Sequence, residues 1–222
     1  MTAAELIAQA VKRLSDAGVP EPELDAKILF LEAFHMDQVH FLMNRMRLLT
    51  EEQRTQQETY EVMIDRRSTR VPLQQILGSQ EFMGLTFRVT PDVLIPRQDT
   101  ECLVELAVED IRNRKTQNRC ESNNTADQKN EQKVKVLDLC TGSGCIGISV
   151  AKLCPDTEVT LADISEGALS VAKKNAQNLD AGVTLIKGNL FENIEGRFDY
   201  ILSNPPYIPS EVIEGLMPEV KE

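Results

Sequence analysis

The sequence predicts an α/β protein in which a small helical domain precedes a larger domain built on a parallel β-sheet. Three observations support this fold class: a length of 222 residues, apolar residues at helical spacing near the N-terminus, and strand and helix patterns that alternate beyond residue 133. We expect a helical domain over residues 1–75, a β-hairpin connector over 76–95 and the sheet domain over 96–222.

The helical domain is marked by two helix starts. Thr2 with Glu5 forms a capping box ahead of apolar residues at helical spacing. A second apolar stripe follows Pro22, and Thr50 with Gln53 opens a third, more polar helix. A small helical bundle accounts for this region.

The connector has the composition of a short hairpin. Residues 82–89 are rich in aromatic and β-branched side chains, and Gly84 supplies the turn. The segment 94–101 then leads into a helix, with Asp99 or Thr100 as its cap.

A polar segment follows at residues 112–133. Cys120 and Ala126 are nearly its only apolar residues. Such a segment has too little apolar surface to offset its ordering entropy, so we expect a mobile polar insertion.

The rest of the chain alternates between strands and helices. Near-continuous apolar strands separated by helices indicate a parallel sheet covered on both faces. The predicted strands are 134–139, 158–162, 183–186 and 198–202, and the predicted helices are 145–153 and 166–179.

A glycine-rich loop follows the first of these strands. Glycines let the backbone turn sharply and approach a ligand at the N-terminus of the next helix, where free N–H groups favour polar or anionic groups. A nucleotide-like cofactor is the natural occupant. The candidate cofactor-binding residues of this loop are Asp138, Cys140, Thr141, Gly142 and Gly144.

The loop alone leaves two cofactor classes open. With Gly147, its glycines also match the dinucleotide pattern Gly-x-Gly-x-x-Gly, so a nicotinamide-dependent oxidoreductase remains an alternative. Asp163 ends the second strand, where a carboxylate can accept hydrogen bonds from the ribose hydroxyls of any adenosine cofactor. A simpler interpretation is that Asp163 only caps a turn with Ser165.

The segment Asn204-Pro205-Pro206-Tyr207, directly after the fourth strand, favours methyl transfer. Its prolines fix the backbone and leave carbonyl groups free to accept, while Asn204 supplies an amide and Tyr207 an aromatic face. Such a cradle suits a planar nitrogen that bears two protons. Asn204 and Pro205 are therefore the candidate catalytic residues, and S-adenosylmethionine is the expected methyl donor.

Composition excludes several other classes. The formal charge of -11 disfavours binding to a phosphate backbone, and no apolar run is long enough to span a bilayer. The five cysteines form no Cys-x-x-Cys pair and the chain has only two histidines, so we expect no metal site. The N-terminus lacks the pattern of a secretory signal, which favours a cytoplasmic location.

Four parts of the chain together resemble the HemK/PrmC family of release factor glutamine methyltransferases. They are the helical N-terminal region and the segments 94–101, 138–144 and 204–207. The resemblance implies a class I (Rossmann-like) S-adenosylmethionine-dependent methyltransferase fold. It also implies a substrate, the glutamine side-chain amide in the Gly-Gly-Gln motif of class I peptide chain release factors, with the helical domain helping to dock the release factor.

The resemblance also assigns roles to the substrate side of the site. Asn204 and Pro205 would hold the glutamine amide, and Pro206 and Tyr207 would shape its slot. Arg97 and Thr100 lie in a segment that matches the family near the site, but the resemblance gives them no defined role.

On the cofactor side, the resemblance places Gly142 and Gly144 against the methionine part and Asp163 against the ribose, with Asn204 bordering the cofactor as well. Asn189 stands where the family often has a carboxylate for the adenine amino group, and its amide oxygen could accept instead.

The chain ends soon after the Asn204 segment, whereas a class I methyltransferase sheet normally has three more strands. We therefore expect a truncated chain that lacks the C-terminal strands, with 198–202 as an exposed apolar edge and with impaired activity. Two further alternatives remain: an amino-methyltransferase acting on adenine or cytosine in nucleic acid, and a binding module without activity.

Overall fold

The computed structural model describes residues 1–122 and 133–206. These residues form two compact units, one containing Met1–Leu77 and the other beginning at Gly78. Within the described ranges, no helix is both long enough and apolar enough to cross a membrane.

The first unit is helical, as its apolar spacing predicts. The Thr2 and Thr50 capping boxes are both formed, which confirms the two predicted helix starts. Two short helices, Gln38–Asn44 and Leu73–Leu77, were not expected from the sequence. The helices are α1 (Ala3–Asp16), α2 (Pro22–Ala33), α3 (Gln38–Asn44), α4 (Arg54–Ser68) and α5 (Leu73–Leu77), with a 3-10 turn at Glu51–Gln53 before α4.

The core of this unit is centred on Phe30, which is completely buried. Its ring stacks on Phe34 at 4.2 Å between centroids and meets the edge of Tyr60 at 5.6 Å. Asp25 and Arg67 form a buried ion pair at 2.7 Å between Nε and Oδ2. The unit therefore has an apolar core of its own with one satisfied buried charge pair.

The second unit begins with the predicted hairpin. Strands β1 (Ser79–Phe82) and β2 (Leu85–Arg88) pair antiparallel, and Gly84 lies at the turn with a φ of +69°. A 3-10 turn at Gln98–Thr100 then leads into the long helix α6 (Glu101–Ser122).

The prediction of a mobile insertion from residue 112 is wrong for residues 112–122, which continue α6. Contacts with residues distant in the sequence stabilise this polar helical stretch: Arg112 Nη2 donates to the Leu153 carbonyl at 3.1 Å, and the Arg114 guanidinium lies 4.9 Å from the centroid of the Tyr200 ring. Residues 123–132 lie outside the described residues.

The remaining elements form the predicted parallel sheet, whose order is β5-β4-β3-β6. All neighbouring strands of this sheet run parallel, and predicted and observed boundaries differ by at most two residues. The elements are β3 (Val134–Leu139), α7 (Cys145–Leu153), β4 (Thr157–Asp163), α8 (Glu166–Asn178), β5 (Val183–Lys187) and β6 (Tyr200–Ser203).

The two faces of the sheet differ. Side chains of α6, α7 and α8 pack with Val136, Val159 and Leu161 in one core. On the opposite face, Leu137 and Leu139 pack against loop side chains that include Phe198, rather than against a helix, within the described ranges. The expected helical cover is therefore present on one face, and β6 is the outer strand of the sheet that these residues form.

Candidate active site

The carboxyl ends of β3, β4 and β6 lie side by side at one edge of the sheet. Leu139 is level with Ala162 of β4 and with Ser203 of β6. The glycine-rich loop therefore begins between the strand that ends at Asp163 and the strand that leads to Asn204. This arrangement brings the glycine-rich loop, Asp163 and Asn204 together, because parallel strands present their carboxyl ends at one edge.

Asp138 lies beneath the glycine-rich loop and is completely buried. Its Oδ2 accepts hydrogen bonds from Thr141 Oγ1 at 2.5 Å and from the Gly147 N–H at 2.9 Å. Burial raises the pKa of Asp138 to about 6, although these two hydrogen bonds favour the ionised form. Asp138 thus stabilises the loop and the start of α7 from below, and it presents no surface at which a cofactor could contact it.

The glycines of the loop have two different environments. Gly142 has a φ of +54°, and a Cβ added there would meet no atom within 4 Å. By contrast, a Cβ on Gly144 would lie 2.7 Å from Ile148 Cδ1, and one on Gly147 would lie 2.3 Å from Leu161 Cδ2. Gly142 therefore borders open space, while the other two glycines allow α7 to pack closely on the sheet.

Cys140 departs from the glycine pattern of the loop. Its φ is +60°, in the left-handed region that side chains rarely adopt. Partial burial and the charge of Asp163 raise the pKa of its thiol, so the group stays protonated at neutral pH. Cys140 is half-buried and fills space at the base of the loop, without the properties of a nucleophile.

Asp163 connects two loops at the edge of the sheet. Its Oδ2 accepts from the Gly142 N–H and its Oδ1 from the Ser165 N–H, each at 2.9 Å. Asp163 therefore caps the turn at Ser165, as the simpler interpretation of the sequence predicts. A carboxylate has about four lone-pair positions, so each oxygen keeps one for a further donor.

The loop after β5 approaches Asp163 from the other side. The Gly188 N–H donates to the Asp163 carbonyl at 3.1 Å, which places the exposed Asn189 next in the chain. Ile164, which sequence reasoning missed, is 64% exposed directly after Asp163. An exposed apolar residue after a strand-end carboxylate is a signal that could have identified it as a wall for a planar ring.

Asn204 lies at the end of β6, half-buried, with the exposed Pro205 and Pro206 after it. Its side-chain Nδ2 donates to Thr100 Oγ1 at 3.2 Å. The strand before it is fixed by Ser203, whose Oγ donates to the Leu139 carbonyl at 2.6 Å. Tyr207 lies outside the described residues, so its predicted role stays a prediction.

Asn175 is a second residue that sequence reasoning missed. It is 1% exposed on α8, and its Oδ1 accepts from the Arg88 N–H at 2.7 Å. Its Nδ2 donates to the Arg88 carbonyl at 3.0 Å and to the Ser143 carbonyl at 2.8 Å. One buried amide therefore joins β2, α8 and the glycine-rich loop. No pattern in the sequence distinguishes it from other helical asparagines.

Metal chemistry finds no support among the described residues. Within these ranges, no group of three or more His, Cys, Asp or Glu side chains is arranged to hold a metal ion. The polar groups at the edge of the sheet are amides, carboxylates and backbone N–H groups, which suit an organic ligand.

Comparisons with known proteins match both parts of the chain. Residues 5–78 match the model of the PrmC N-terminal domain, and residues 124–215 match that of the Methyltransferase small domain. The second match agrees with the class I, Rossmann-like order of helices and parallel strands described above.

Curated relatives extend this similarity over nearly the whole chain. A release factor glutamine methyltransferase of Geobacter sulfurreducens is 40% identical over 94% of this chain, which spans 66% of that relative. One of Moorella thermoacetica is 39% identical over 100% of the chain and 72% of the relative. One of Agrobacterium fabrum is 37% identical over 98% of the chain and 70% of the relative. The chain belongs to the family of release factor glutamine methyltransferases.

Proposed function

We propose that this chain transfers a methyl group from S-adenosylmethionine to the side-chain amide nitrogen of the glutamine in the Gly-Gly-Gln motif of class I peptide chain release factors. Family membership supports the reaction type and the kind of protein substrate. The observation that carries the proposal is the orientation of the Asn204 carboxamide: its Nδ2 donates to Thr100, and no group within residues 1–122 or 133–206 donates to its Oδ1, which can accept from a substrate.

The residues at the edge of the sheet fit the methyl donor. Gly142 borders open space beside the N-terminus of α7, and Asp163 has unused lone pairs for ribose hydroxyls. The exposed Ile164 offers an apolar surface for adenine. Asn189 would meet the adenine amino group, because it follows Gly188, whose N–H donates to the Asp163 carbonyl. S-adenosylmethionine supplies an electrophilic methyl carbon, and the sulfur keeps the electron pair of the broken C–S bond.

The task left to the protein is to orient a weak nucleophile. A glutamine amide nitrogen attacks poorly because its lone pair is delocalised over the carbonyl group. Hydrogen bonds from its two protons to Asn204 Oδ1 and to the Pro205 carbonyl would increase electron density on the nitrogen and direct it. The nitrogen gains the methyl group and releases one proton to solvent, so no strong base is needed.

The partners follow from the same proposal. We expect the helical unit to contact the release factor, which positions the Gly-Gly-Gln motif for the site in the second unit. A cytoplasmic location and the lack of direct nucleic-acid binding stay predictions; the charge of -11 supports the second of them.

The proposal is tested by incubating the 222-residue chain with S-adenosylmethionine, a purified class I release factor and duplex DNA in one reaction. Intact-mass measurement should show one added methyl group on the release factor and none on the DNA. Methylated DNA would instead favour the nucleic-acid amino-methyltransferase. If neither acceptor is modified while the chain binds S-adenosylmethionine, the chain is a binding module and the proposal is wrong.

A further inference from the structure

Thr100 contacts the side chain on which the proposed chemistry depends. The two residues are 104 positions apart, and Asn204 Nδ2 donates to Thr100 Oγ1 at 3.2 Å. Among residues 1–122 and 133–206, no other group forms a hydrogen bond with the Asn204 carboxamide. The orientation of that amide therefore depends on the hydroxyl of Thr100.

Thr100 lies on a rigid part of the second unit. Its N–H donates to the Arg97 carbonyl at 3.0 Å, and it directly precedes α6. Helix α6 is held in the core by Val104 and Ile111, which are completely buried. Glu101 Oε1 also accepts from the Met83 N–H at 2.6 Å. The hydroxyl is thus a fixed point, whereas Asn204 is followed by two exposed prolines.

The orientation of the amide matters because its two ends have opposite roles. A substrate amide brings two N–H donors, and of the two ends of the Asn204 carboxamide only Oδ1 can accept from one of them. A carboxamide rotated by half a turn would direct Nδ2 at those donors, so donor would face donor. In the observed orientation Nδ2 donates one of its two protons to Thr100 Oγ1, and among residues 1–122 and 133–206 no group donates to Oδ1.

We propose that Thr100 is a positioning residue for methyl transfer, which holds the Asn204 carboxamide with its oxygen toward the substrate amide. This inference rests on the proposed function. A threonine or serine hydroxyl can accept the Nδ2 proton and valine cannot, so the inference concerns the hydroxyl and not the shape of the side chain.

The test compares Thr100→Val with Thr100→Ser in steady-state methylation of a class I release factor. We expect Thr100→Val to lower kcat about 10-fold, the loss typical of one hydrogen bond that orients a reacting group, with the KM for S-adenosylmethionine unchanged. Thr100→Ser should stay within about twofold of the wild type. Thr184→Val, on an exposed position of β5, is the matched control and should leave kcat unchanged.

A double-mutant cycle on stability supplies a second readout that needs no substrate. Urea midpoints are measured for Thr100→Val, Asn204→Ala and the double variant. Coupled residues give non-additive shifts, so we expect the double variant to lose less than the sum of the two single variants.

The outcomes separate this inference from the proposed function. Additive urea shifts, or wild-type kcat in a folded Thr100→Val variant, would overturn the role of Thr100 while methylation by the wild type stands. Equal losses in the valine and serine variants would also overturn it, because packing would then explain the effect. A wild type that binds S-adenosylmethionine but methylates no release factor overturns the proposed function and, with it, this inference.

Discussion

The two carboxylates at the glycine-rich loop, Asp138 and Asp163, differ in what they can bind because one is buried and the other lies at the edge of the sheet. Asp138 is completely buried, and burial raises its pKa to about 6. Asp163 lies at the edge of the sheet, where it accepts two backbone hydrogen bonds and has further lone pairs to use. Asp138 therefore supports the loop from below, and Asp163 is the carboxylate available to a ligand.

The raised pKa of Asp138 has a consequence for stability. Between about pH 4 and pH 6 the folded chain keeps a proton on Asp138 that the unfolded chain has lost, so the free energy of unfolding falls as pH rises through this window and levels off above it. Across this window the free energy of unfolding falls by roughly 3 kcal/mol.

Asp138→Asn keeps an oxygen that accepts from Thr141 and Gly147 but removes the titration. We expect the stability of the variant relative to the wild type to rise by about 3 kcal/mol from pH 4 to pH 7 in urea unfolding. A constant difference across this range would show that Asp138 titrates normally, contrary to its burial.

At the scale of elements, Asn175 joins parts of the second unit that are distant in the sequence. It lies on α8 and contacts both peptide groups of Arg88 on β2 and the Ser143 carbonyl of the glycine-rich loop. Because the bond to Ser143 is buried and the two bonds to Arg88 are partly buried, replacing Nδ2 by an oxygen leaves two carbonyl groups without their donor and facing a new acceptor.

Asn175→Asp should therefore destabilise the chain by about 3 kcal/mol and weaken the binding of S-adenosylmethionine, since the glycine-rich loop loses its contact with α8. Asn178→Asp, at an exposed position of the same helix, should change stability by less than about 0.5 kcal/mol. Urea unfolding and calorimetric titration measure both effects. Equal behaviour of the two variants would contradict the role given to Asn175.

The sequence predicted the elements that carry strong local signals and missed those that depend on the fold. Helix α7 and strand β3 have the predicted bounds, because apolar period and flanking glycines mark them. Helices α3 and α5 are too short to show a period. The polar end of α6 was assigned to a loop because the contacts that stabilise it, with Leu153 of α7 and the Tyr200 ring of β6, come from elements that are distant in the sequence.

The same distinction holds for the candidate site. Gly142, Asp163 and Asn204 stand within or beside recognisable local motifs, so sequence reasoning found them. The contact from Asn204 to Thr100 spans 104 residues and the one from Asn175 to Arg88 spans 87, and neither pair shares a local pattern. Only the folded sheet brings such residues together.

At the scale of the whole molecule, the chain has two units with separate cores. The core of the helical unit contains Phe30, and that of the second unit contains side chains of α6, α7, α8 and the sheet. A substitution that disrupts one core should therefore impair the function of that unit and leave the function of the other unit unchanged. We expect the helical unit to serve recognition of the release factor, while the second unit binds S-adenosylmethionine.

Phe30→Ala removes a completely buried ring and should cost about 3–5 kcal/mol in the helical unit. We expect a raised KM for the release factor with unchanged affinity for S-adenosylmethionine, measured by steady-state kinetics and calorimetric titration. Val62→Ala, at a 59% exposed position of α4, should change neither. Loss of cofactor affinity in Phe30→Ala would contradict the separation of tasks.

Localising the methyl group on the release factor shows whether the Asn204 site methylates one glutamine amide. The release factor is treated with the wild-type chain or with Asn204→Ala, digested, and mapped by tandem mass spectrometry. We expect one methyl group on the Gly-Gly-Gln glutamine with the wild type, and at least about 100-fold less with Asn204→Ala at unchanged cofactor affinity. A methyl group on another residue, or undiminished methylation by Asn204→Ala, would contradict this expectation.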